Sequence, residues 1–83
     1  MTEKIVCPKE RKQQAVEELI RSLIEKGNLK NDYPSVGVNS LYIDERRTIT
    51  ELSAHGELCA TVYAKETSEK EVILFVSTFN IKQ

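Results

Sequence analysis

Apolar residues recur along this chain with two different periods, and the change from one to the other divides it into a helical part and a strand part. Val16, Leu19, Ile20, Leu23 and Ile24 follow the i, i+3, i+4, i+7, i+8 spacing of one helical face, and Ala15 widens the stripe. The spacing predicts a helix from Pro8 to Lys26. Pro8 suits the first helical position, where a missing N–H costs nothing. Gly27 suits a left-handed residue just past the end, with Asn28 helping the exit. Glu17 and Arg21 stand four apart in the favourable order. Ordering such a helix costs more than its stripe alone returns, so it needs a packed partner surface.

Asn28–Ser35 reads as a connection, in which Pro34 pushes Tyr33 toward extended geometry. From Val36 onward the period is 2. Val36–Ile43, Arg47–Ala54, Glu57–Ala64 and Glu71–Phe79 read as four strands. Between them lie a polar turn at Asp44-Glu45-Arg46, a tight loop at His55-Gly56 where Gly56 permits a positive φ, and the charged and hydroxylic Lys65–Lys70. Thr2–Val6 is either one more short strand or an ordered tail. The expected fold is α+β in a single domain: one N-terminal helix on a four-stranded antiparallel meander, with an extra N-terminal strand as the open question.

Turns centred on Glu45-Arg46, His55-Gly56 and Thr67-Ser68 fix the strand faces by alternation. One face then collects Val36, Val38, Tyr42, Ile49, Leu58, Ala60, Val62, Ile73 and Phe75. The other collects Leu41, Ile43, Leu52, Cys59, Tyr63, Val72, Leu74 and Val76. The last strand is apolar on both sides, yet one helix covers only one face. The second set is therefore the expected partner or dimer interface, because large apolar patches are rarely left in water. A second copy of the chain is the first expectation, a different protein the second, and closure into a small barrel the third.

Composition narrows the function classes. The 83 residues carry a net charge of −1, with 30% charged and 40% hydrophobic residues, which fits an ordinary globular domain rather than one built to grip phosphate backbones. Nucleic acid is thus a disfavoured partner. Met1–Val6 lacks the apolar core of a secretory signal, and the longest apolar run, Val72–Val76, is far too short to span a bilayer. No membrane role is expected, and the cytoplasm is the expected compartment. Cys7 and Cys59 then read as reduced thiols.

Candidate chemistry is sparse. His55 sits at a loop tip, Cys7 precedes the helix without an evident base, and Cys59 lies mid-strand as a packing residue. Two cysteines and one histidine at unrelated spacings make no zinc motif, and Gly27, Gly37 and Gly56 are isolated, so neither metal nor cofactor is expected. Glu51 and Glu57 fall on or near strands without an apolar pocket for acid–base work. Lys9, Arg11 and Lys12 stand in the first helical turn, where cations oppose the helix dipole. They are either a solvated face or a contact for an anion or an acidic partner.

The element order of strand, helix and four antiparallel strands resembles the cystatin-like arrangement, in which a long helix lies across a curved sheet. The Gln-Val-Val-Ala-Gly hairpin of cystatin inhibitors is absent, so the resemblance implies a fold and no activity. A helix followed by a twisted meander is also similar in element order to Sm-like RNA-binding rings, again without a shared motif. The expected function is a small non-enzymatic protein-binding module, an inhibitor or regulator that occupies a partner's surface, of a kind frequent in phages and mobile elements. An oligomeric nucleic-acid-binding protein using the basic first turn is the alternative.

Overall fold

Pro8 ends a strand instead of starting a helix. Its backbone is extended, at φ −62° and ψ 141°, and a 3-10 turn, Lys9–Arg11, follows before the α-helix α1, Lys12–Lys26. The computed structural model describes residues 2–27 and 36–79. The predicted connection Asn28–Ser35 lies outside the described residues. Besides α1 the fold contains β1 (Thr2–Pro8), β2 (Val36–Tyr42), β3 (Arg47–Ala54), β4 (Glu57–Glu66) and β5 (Glu71–Thr78). It is α+β, with the helix packed on one antiparallel sheet ordered β1-β5-β4-β3-β2. The extra N-terminal strand is present and joins the meander beside β5. Among the described residues the outer strands β1 and β2 are separate edges, and the sheet does not close into a barrel.

Gly27 ends the helix differently from the sequence expectation. Its φ of −82° is right-handed, and its N–H donates to the Leu23 carbonyl at 2.9 Å, continuing the helical pattern for one more residue. At the β3–β4 loop the backbone agrees more closely. His55 and Gly56 have φ of 54° and 78°, the two positive values of a two-residue hairpin turn matched to strand twist.

The strand faces depart from the expected sets at three places. The β2–β3 pairing centres on Glu45, with Tyr42 opposite Thr48, and not between Glu45 and Arg46. The β4–β5 pairing places Glu66 opposite Val72 and so centres on Glu69, not between Thr67 and Ser68. The β3–β4 hairpin starts as expected, with Ala54 opposite Glu57. It then slips one residue at Cys59, so that Leu52 meets Ala60. Each departure is an odd number of steps, and an odd step moves side chains to the other face. The slip is a β-bulge, and both Cys59 and the next residue, Ala60, are buried there.

The covered face accordingly carries Leu52, Val62, Val72 and Leu74, each no more than 1% exposed. They form one cluster with Ile20 and Leu23 of α1, and Ile5, Cys7, Val16, Leu19 and Ile24 pack around it. Cys7 and Cys59 are both free thiols.

Candidate functional site

Among the described residues, two surfaces stand out once the core is filled. The first is the sheet face turned away from α1. Strand pairing arranges its side chains in rows that cross the sheet. One row runs Lys4, Phe75, Tyr63, Ile49, Leu41. The neighbouring row runs Val6, Ile73, Lys65, Arg47, with Ile43 beyond it through its N–H to the Arg47 carbonyl. The next row on the other side is polar: Ser77, Thr61, Glu51, Asn39. The uncovered face is therefore half apolar band and half hydroxyl and charge.

Within the band the Tyr63 and Phe75 rings are 5.9 Å apart at 50°, a tilted contact between cross-strand neighbours. Val6, Leu41 and Ile43 are about half exposed, at 55%, 46% and 47%. Arg47 closes one end. Its Nη2 and Nε both lie 2.6 Å from Asp44 Oδ2. The Asp44 carboxyl is held below its ordinary range by that bond first and by the Arg46 N–H second. Arg47 is pushed up by Asp44 first and by the Tyr63 hydroxyl second.

The second surface is a groove of about 1150 Å³ between α1 and the β2–β3 hairpin. It exists because the helix stripe is spent over the middle strands and β1, leaving β2 outside its reach. One wall is helical, with Val16, Ile20 and Ile24 beside Lys12, Gln13, Glu17 and Arg21. The floor is hydroxylic. Ser40, Thr48 and Thr50 line it, and Ser40 Oγ and Thr50 Oγ1 are hydrogen-bonded at 3.2 Å. Tyr42, 87% exposed, stands at its mouth.

The interface expected from sequence is divided by this geometry. Leu41, Ile43 and Tyr63 lie on the uncovered side. Leu52, Cys59, Val72, Leu74 and Val76 do not: all five are buried in the cluster under α1, at 5% exposure or less. They cannot form an exposed interface, and the register shifts above are the reason. In their place the uncovered face receives Ile49, Ile73 and Phe75 from the opposite set and Val6 from β1, which no assignment covered. The β-prone run Val72–Val76 signalled a two-sided strand correctly but could not say which side met the helix.

The basic turn is also altered. Lys9 and Arg11 lie in a 3-10 turn, and only Lys12 stands in the first turn of the α-helix itself. Lys9 Nζ lies 3.0 Å from Glu66 Oε1. That contact, before the weaker pull of Lys12 and Arg46, holds the Glu66 carboxyl below its ordinary value. One of the three expected anion contacts is thus already engaged within the chain. No protein family, no curated protein and no solved structure matches this sequence. Among the described residues no three His, Cys, Asp or Glu side chains form a metal-holding group. Among the same residues no helix is long and apolar enough to cross a membrane.

Proposed function

We propose that this chain is a small non-enzymatic protein-binding module, an inhibitor or regulator that works in the cytoplasm, as a homodimer, by occupying the surface of a partner protein. The supporting observation is the apolar band across the uncovered sheet face. It joins Val6, Ile73, Phe75, Tyr63, Ile49, Leu41 and Ile43 over all five strands, with Lys4 and Lys65 as its cations and Arg47 held by Asp44 at one end. An apolar centre with a cationic rim suits a partner surface that is apolar with carboxylates around it. The aromatic pair at the middle of the band is the natural anchor, since binding energy concentrates in central aromatic residues.

The test compares capture by wild-type protein, by Phe75→Glu and by Gln14→Ala on the exposed side of α1, with circular dichroism to confirm that each is folded. A specific partner is retained by wild type and by Gln14→Ala and is weakened at least tenfold by Phe75→Glu. Equal capture by all three would remove the band from the binding reaction.

A further inference from the structure

The two edges of the sheet are not alike. β1 carries Glu3 and Lys4 and ends on Pro8, three features that discourage pairing with another strand. β2, Val-Gly-Val-Asn-Ser-Leu-Tyr, has no charge and no proline, and from Gly37 to Tyr42 every residue is exposed. The Ile43 N–H donates to the Arg47 carbonyl, which fixes the phase of the β2–β3 ladder. By alternation Gly37, Asn39 and Leu41 exchange their hydrogen bonds with β3, and Val36, Val38, Ser40 and Tyr42 point theirs outward. Among the described residues nothing pairs with that outer edge.

We propose that β2 pairs antiparallel with β2 of a second copy, about a two-fold axis at Asn39, joining the two sheets into one of ten strands. The edge is self-complementary in this register. Each outward-pointing residue meets another: Val38 the second copy's Ser40, and Val36 the second copy's Tyr42. On the uncovered face Leu41 meets Gly37, where a Cβ would have nothing within 4 Å and the larger side chain has room. The axis stands perpendicular to the sheet, so both helices lie on one side. The groove along α1, open at β2 in a single chain, then gains the second copy's helix as its far wall. The pairing specifies the self-association within the function proposed above and uses a different surface from the apolar band.

The edge is tested by sedimentation of the protein alone, with no partner present. Wild type is expected at about twice its 9.5 kDa mass at micromolar concentration. Val38→Pro removes an outward N–H that takes no part in the β2–β3 ladder, and is expected to sediment as a folded monomer. If that variant misfolds, Asn39→Lys sets like charges across the axis and gives the same shift with the sheet intact. Asn39→Cys places two thiols at a non-hydrogen-bonded pair, with Cα atoms about 4.5 Å apart, and is expected to form a covalent dimer on mild oxidation. Wild type oxidised in parallel controls for Cys7 and Cys59. A monomeric wild type, or a dimer that survives Asn39→Lys and resists crosslinking through Asn39→Cys, overturns the pairing. Loss of partner capture by Phe75→Glu is read separately, so either surface can fail alone.

Discussion

The Lys9 ammonium and the Glu66 carboxylate, 3.0 Å apart, join the exit of β1 to the end of β4. The same junction is held by the Lys9 N–H, which donates to the Lys70 carbonyl at 2.9 Å, and by the Glu66 N–H, which donates to the Arg46 carbonyl at 2.8 Å. The Glu66 side chain is 11% exposed but that of Lys9 is 50% exposed, so water still screens the pair from the lysine side.

This pair sets a pH dependence. The folded-state pKa of Glu66 lies below its ordinary value of 4.5, chiefly because of Lys9. The unfolded chain therefore takes up the proton first as pH falls. The contribution is complete above the ordinary value, declines below it and is gone once pH passes the lowered folded value. Glu66→Gln is expected to flatten the acid limb of a stability-versus-pH curve measured by urea denaturation. An acid limb identical to that of wild type would show that the pair is silent.

Leu74 is fully buried opposite Ile5 on one side and Ala64 on the other. Leu74→Ala is expected to cost about 2–5 kcal/mol, the range for a leucine-sized cavity. Ile73→Ala, one position along on the uncovered face, is expected to cost less than half as much. The two midpoints in denaturant check the face assignment directly, since reversed magnitudes would place Ile73 under the helix.

The hairpin at His55-Gly56 makes an opposed pair of predictions. Gly56→Ala forces an L side chain to φ 78° and is expected to destabilise by about 1–2 kcal/mol. His55→Asn places a residue tolerant of positive φ at 54° and is expected to stabilise by a few tenths of a kcal/mol. Thermal melts of both variants read the signs.

The two thiols should react at different rates. Cys59 is 5% exposed at the bulge, and Cys7 is partly exposed at the end of β1. A disulfide reagent is expected to titrate Cys7 in the native protein and Cys59 only on opening of the fold. Cys7→Ser should abolish the fast phase alone.

Element positions were legible in the sequence because periodicity is local. β3 has its expected ends, and α1 was displaced only where Pro8 served β1 instead. The faces were not legible, because they depend on whether a turn spans an odd or an even number of residues and on a bulge that inserts Cys59. Neither leaves a mark in hydropathy. Val72 and Ile73 are adjacent, β-branched and nearly alike, yet only the centring of the turn on Glu69 decides which is buried. The candidate interface inherited that ambiguity: Tyr63 stayed on the uncovered side, while Leu52 and Leu74 went into the core.

The pairing of β1 with β5 has a consequence for how the molecule is made. Ile5 finds Leu74 only after all the strands between them have been made, and closing so long a loop is slow compared with forming the neighbouring hairpins. Until then the flank of β5 is an open template for any extended chain nearby. Folding thus includes a race between the first strand arriving home and a stranger taking its seat.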